Sequence, residues 1–151
     1  MSEPVRIEGI PEILRNNKRF MEALKAEIER LLARAALETE NRAKERAPVA
    51  FGRLRAGIHT ERPGQFTTDV VSGEKYAAAV EYGTSPHFPP ISELQLWAGR
   101  VLGDEDAAYP VARKIAVSGT QPQPYLRPAF EEVAPQLRSA LEELAREVSG
   151  K

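Results

Sequence analysis

Histidines, cysteines and clustered carboxylates are the side chains that most often carry chemistry, and this chain offers few of them at usable spacing. Its two histidines, His59 and His87, lie far apart, with no carboxylate at metal-ligand spacing around either. Each reads as an ordinary surface or half-buried imidazole rather than a ligand. There is no cysteine, which excludes disulfides, thiol nucleophiles and thiolate zinc sites and fits a reducing compartment. No nucleophile elbow and no phosphate-gripping glycine loop occurs. The carboxylate in the most distinctive setting is Glu81, in Val80-Glu81-Tyr82-Gly83-Thr84. A catalytic carboxylate normally has a second group that splits the two pKa values, and none is evident in the sequence. Glu81 therefore reads as half of a structural ion pair. The expectation is a protein that is not an enzyme and holds no cofactor and no metal.

Composition narrows the class further. With 151 residues, 42% apolar and 28% charged, the chain reads as one domain of a globular protein, long enough to bury a core. Its net charge of −1 argues against a dedicated nucleic-acid binder, which would carry an excess of Lys and Arg. No apolar run approaches the roughly 18 residues of a membrane span, and Met1-Ser2-Glu3-Pro4 does not begin a secretory signal.

The elements that must position these residues follow from periodicity. Phe20, Leu24, Ile28, Leu31, Leu32, Ala35, Ala36, Ala43 and Ala47 recur at three- and four-residue steps, which predicts one long helix over about 11–47, ended by Pro48. Glu38 with Arg42 and Glu40 with Lys44 form favourable pairs on its solvent side. Between residues 52 and 83 the period changes. Leu54, Ala56 and Ile58 alternate with polar neighbours, Pro63-Gly64 signals a turn, and Thr67–Ser72 is β-prone. Tyr76–Tyr82 is a third strand candidate whose alanines also suit a helix, so the stretch reads as a small antiparallel meander.

Thr84–Pro90 is a loop, because its prolines forbid regular pairing. A helical pair over about 86–119 follows. Ser92 is the expected N-cap of its first helix and Gly103 the stop, and Asp104 caps the second, which ends near Gly119. The face of Leu94, Trp97 and Val101 is expected to pack on the core. Residues 124–149 read as a short strand at Tyr125-Leu126, then a helix with Phe130, Val133, Leu137, Leu141, Leu144 and Val148 on one face. Pro135 predicts a kink or a start near Ala134. The fold class is α+β: a small, mostly antiparallel sheet packed by a long N-terminal and a C-terminal helix, with an inserted short helical pair.

Three short stretches carry a resemblance. They are Ala47-Pro48-Val49 with Gly52-Arg53-Leu54-Arg55, then Tyr76-Ala77 with Val80-Glu81-Tyr82-Gly83-Thr84, and Pro124-Tyr125-Leu126-Arg127-Pro128-Ala129. Their order and spacing over about residues 20–148 resemble the gene-product-ten-like family of minor neck and tail-completion proteins of lambda-like long-tailed phages. Ala50-Phe51 stands where that family commonly has Asp-Thr, and 86–119 resembles an insertion carried by some members. Gly52 and Gly83 suit positive φ or close chain approach, and Tyr82 suits a core or an interface equally. Arg55 and Arg127 suit either an internal carboxylate, Glu81 among them, or a neighbouring subunit. Gly52, Leu54, Arg55, Glu81, Tyr82, Gly83, Thr84, Leu126, Arg127 and Pro128 are thus the candidate structural or assembly residues.

The resemblance implies a structural virion protein, made in the host cytoplasm and placed at the head–tail junction. Its partners would be copies of itself in a six-fold or twelve-fold ring, the head connector and the tail proteins, with DNA only passing through the channel and no membrane involved. A tail terminator capping the tail tube is the alternative within the class. A small cytoplasmic binding or regulatory module is the alternative outside it.

Overall fold

The computed structural model describes residues 10–50 and 52–150, with side chains described from residue 15 onward. Phe51, half of the Ala50-Phe51 departure, and the N-terminal Met1-Ser2-Glu3-Pro4 lie outside them. The fold is α+β. Helix α1 runs Ile10–Arg46 and a one-turn helix α2 runs Arg53–Gly57. Strands β1 (Ile58–Gly64) and β2 (Thr67–Ser72) follow, then α3 (Ala77–Tyr82), α4 (Ile91–Val101), a 3₁₀ turn at Glu105–Ala107, α5 (Ala108–Ser118) and α6 (Leu126–Ser149).

The sheet is a two-stranded antiparallel hairpin, smaller than the expected meander. Both missing strands are short helices. Leu54 and Ile58 are buried while Ala56 is exposed, so their spacing of four places them on one side of a helical turn, not on a strand. The Ala56 N–H bonds back to the Gly52 carbonyl and closes that turn. At α3, Ala77, Val80 and Glu81 face inward at helical spacing, as the alanines allowed. In the hairpin, Ile58 pairs with Ser72 and Thr60 with Val70, and the register shifts between Glu61 and Gly64. Pro63 lies in that gap and has no N–H to give the ladder. The chain reverses at Gln65-Phe66, two residues after the expected Pro63-Gly64 turn, with Phe66 at φ 57°.

Helices α1 and α6 lie antiparallel. Glu132, early in α6, binds Arg42 and Arg46 at the end of α1, and Leu24 and Ile28 meet Leu141, Leu144 and Val148 at the other end. The buried core joins Ala43 and Ala47 of α1 to Leu54, Ile58, Tyr125 and Ala129, with Val70, Ala77, Val80 and Leu126 against it. Small residues on both helices let the backbones approach closely. The predicted stripes run past this core. Phe20 and Phe130 are exposed, and Ala129 takes the inward position assigned to Phe130.

Helix α6 starts at Leu126 and continues through Pro135, so neither the Tyr125-Leu126 strand nor the start near Ala134 is present. Pro135 is on the solvent side, where water can satisfy the Glu131 carbonyl that loses its partner. Helix α4 begins after Pro90 rather than at a Ser92 cap. Gly103 and Asp104 act as expected, the Asp104 carboxylate accepting from the Asp106 N–H. Helices α4 and α5 pack on each other through Ala98, Ala108 and Ala112. Trp97 is only half-buried there and Val101 is exposed, which corrects the expectation that this face joins the main core.

Candidate assembly site

The three motifs meet around one core. Leu54 from the first, Ala77 and Val80 from the second, and Tyr125, Leu126 and Ala129 from the third all belong to or pack against the same cluster. Tyr125 is its largest fully buried side chain, at 1% exposure. Burial pushes its phenol pKa up.

Glu81 links the second motif to the third. It sits in the last turn of α3 with 6% of its surface exposed. One carboxylate oxygen, Oε2, accepts the N–H of Tyr125 at 2.8 Å and of Leu126 at 2.9 Å, and Oε1 accepts the N–H of Arg127 at 2.9 Å. These are the first donors of α6, which have no partner within the helix. Burial alone would raise the Glu81 pKa, but the three N–H groups and the nearby Arg127 charge hold it below the usual carboxylate range. The expected side-chain ion pair is therefore a helix cap delivered across the fold. A carboxylate also complements the positive end of the helix dipole.

The neighbouring residue points outward. Tyr82 is 64% exposed, and the Arg127 guanidinium lies 5.4 Å from its ring centroid, within cation–π range. Arg55 is exposed and makes no ion pair among the described residues. Neither arginine forms a side-chain ion pair with the Glu81 carboxylate, whose three hydrogen bonds all come from backbone N–H groups.

Gly83 has φ 72°, and a Cβ there would stand 2.4 Å from the Thr120 carbonyl oxygen. The positive φ and close approach expected of it both hold. Thr84 then bridges Thr120. Each N–H donates to the other's carbonyl, and the two hydroxyls lie 3.0 Å apart. Across the bridge, a Cβ on Gly119 would stand 1.9 Å from the Thr84 carbonyl oxygen. Gly52 has φ 73° with open space around it, so its need for glycine is conformational alone. Pro128 occupies the first turn of α6. Thr120 and Gly119 were not singled out from sequence for this role, because nothing local marks a threonine thirty-six residues away as the partner of Thr84.

Residues 12–83 match a phage tail-component family. The matching model is HK97-gp10_like, described as "Bacteriophage HK97-gp10, putative tail-component". The matched stretch is just under half the chain and covers α1, the hairpin and α3, including the first two motifs up to Gly83. The third motif and α6, which the sequence resemblance also spanned, lie outside it. No curated protein and no solved structure matches the chain. The similarity supports a general structural role in a phage tail.

Among the described residues, no group of His, Asp and Glu could hold a metal ion, and no helix is long and apolar enough to cross a membrane. An open apolar groove of about 280 Å³ lies between α1 and α6, lined by Leu24, Ile28, Leu141, Leu144, Ala145 and Val148.

Proposed function

We propose that this chain is a virion component of a long-tailed phage that assembles as a ring at the head–tail junction, as a neck or tail-completion protein. The observation that carries this reading is the combination of a tail-component match over residues 12–83 with a surface built for partners. Phe88, Leu96, Tyr109 and Val117 on the inserted pair are more than half exposed, as interaction surfaces are. The motif residues act as the internal frame of each subunit. Glu81, Leu54 and the Thr84–Thr120 bridge fix how the outer surfaces are presented to the next copy, the head connector and the tail.

The test is an amber mutation of the gene in its phage, with lysates viewed by electron microscopy and purified virions analysed by mass spectrometry. Filled heads separated from finished tails, restored by supplying the protein, are expected. Tails of uncontrolled length would assign the terminator position instead. Normal virions lacking the protein would overturn the reading in favour of a cytoplasmic module.

A further inference from the structure

Helix α1 is much longer than the helix that covers it. The antiparallel partner α6 ends opposite Leu24, where Val148 lines the shared groove, so Ile10–Ala23 projects past it by about 20 Å. Every residue from Arg15 to Ala23 is exposed, including Phe20 and Met21. The apolar stripe of Phe20, Leu24 and Ile28 runs unbroken from the overhang into the open groove.

The charges on the two features are opposite. The overhang carries Arg15, Lys18 and Arg19 against Glu12 and Glu22, and none of the three cations has an ion-pair partner among the described residues. The end of α6 beside the groove carries Glu142, Glu143 and Glu147 against Arg146. Those three carboxylates likewise have no ion-pair partner among the described residues, and they stand at the negative end of the helix dipole. Overhang and groove adjoin on the same molecule. A two-fold axis across α1 near Phe20 and Leu24 therefore sets each overhang into the other copy's groove in one movement, as an isologous contact requires.

We infer that the free protein is a two-fold dimer in which the N-terminal overhang of α1 from each copy fills the α1–α6 groove of the other. Phe20 of one copy packs on Leu24 of the other, and Arg15, Lys18 and Arg19 face Glu142, Glu143 and Glu147. This contact is independent of the ring reading, since a closed ring of six needs a heterologous contact elsewhere on the surface.

Light scattering coupled to size exclusion on the full chain at micromolar concentration tests it. The expected mass is twice that of the chain, with dissociation promoted by salt. Phe20→Glu should give a monomer that still melts cooperatively, somewhat below the dimeric wild type, because Phe20 lies outside its own subunit's buried core. Since the chain has no cysteine, Met21→Cys supplies a second readout. Mild oxidation should cross-link it into dimers, whereas Val117→Cys on the inserted pair should stay uncross-linked. A wild-type monomer, a dimer that survives Phe20→Glu, or Met21→Cys that stays monomeric on oxidation would each overturn the inference, and none of them bears on assembly in the virion.

Discussion

Glu81 and Pro128 between them dispose of all four N-terminal positions of α6. The carboxylate accepts the N–H groups of Tyr125, Leu126 and Arg127, and the fourth residue, Pro128, has no N–H to satisfy. A helix start buried against α3 thus leaves no orphan donor, although none of the capping comes from residues adjacent to it in sequence.

Removing that carboxylate should be costly. Glu81→Ala leaves the buried N–H of Tyr125 and the partly buried N–H groups of Leu126 and Arg127 without their acceptor, which costs roughly 3 kcal/mol. At about 2–4 °C per kcal/mol for a domain of this size, the melting temperature should fall by roughly 6–12 °C. Glu81→Gln keeps one acceptor oxygen and should lose about half as much. Calorimetry on the three proteins checks the order, and equal stability of wild type and Glu81→Ala would remove the cap from the account.

The same carboxylate sets a pH dependence. The Glu81 pKa is lowered in the folded chain, burial opposing and the three N–H groups prevailing. Glu40 is lowered by Lys44 and Thr60, and Glu132 by Arg42 and Arg46. A depressed folded-state pKa gives stability that is fully present above the unfolded value and lost as pH falls through the folded value. Stability should therefore decline as pH drops below about 4.5, the ordinary glutamate value. Glu81→Gln has no such contribution to lose, so urea midpoints of variant and wild type should converge on acidification.

His59 carries the opposite sign. Its pKa is raised, first by the Gly57 carbonyl and then by Glu61. Its contribution is present below the unfolded imidazole value of 6.5 and disappears as pH rises through the folded one. The ring is exposed, so the effect should be small. Proton NMR titration of His59 against His59 in an unfolded peptide measures the direction directly.

What was legible in the sequence was set by periodicity and punctuation. The α1 stripe from Leu24 to Ala47, the stop at Gly103, the Asp104 cap and the end at Gly119 all follow from local rules, and the structure has each. The misreadings share a physical origin. Leu54 and Ile58 fit a period of two and a spacing of four equally, and Tyr125-Leu126 has a strand's composition while its conformation is dictated by Glu81, forty-four residues away. Phe20 and Phe130 continue their stripes in the sequence, but whether a stripe is covered depends on where the opposing helix ends. The candidate residues stand out in the sequence only through the three motifs that carry the resemblance. Their roles were not legible, because capping and bridging partners are joined only by the fold.

Glycine at 83 and 119 should be irreplaceable. Each combines positive φ with a carbonyl where a Cβ would go, so Gly83→Ala or Gly119→Ala meets both strain and a clash and should cost roughly 2–4 kcal/mol. Gly52→Ala meets strain alone and should cost about 1 kcal/mol. Chemical denaturation ranks the three, and a Gly52 variant as unstable as the other two would contradict the distinction between conformational and steric need.

The Thr84–Thr120 bridge makes a last prediction about the inserted pair. The bridge brings the two ends of residues 85–119 into direct hydrogen bonding, and what lies between them packs mainly on itself: α4 on α5 through Ala98 and Ala112, Phe88 edge-on to Tyr109 at 6.5 Å, and Trp97 half-buried. None of these residues belongs to the core of Leu54, Ile58 and Tyr125. Trp97→Ala should therefore cost about 1–2 kcal/mol, below the ~3–5 kcal/mol of a large truncation in a well-packed core. Replacing 85–119 by a two-residue turn should leave α1, the hairpin and α6 folded, because their backbone donors and apolar contacts do not run through the excursion. Circular dichroism should show the loss of only the α4 and α5 helical signal, with a cooperative melt retained and Tyr125 amide exchange still protected. A deletion variant that fails to fold, or one whose Tyr125 amide exchanges freely, would mean that the excursion supports the core and that the bridge is not a self-sufficient clasp.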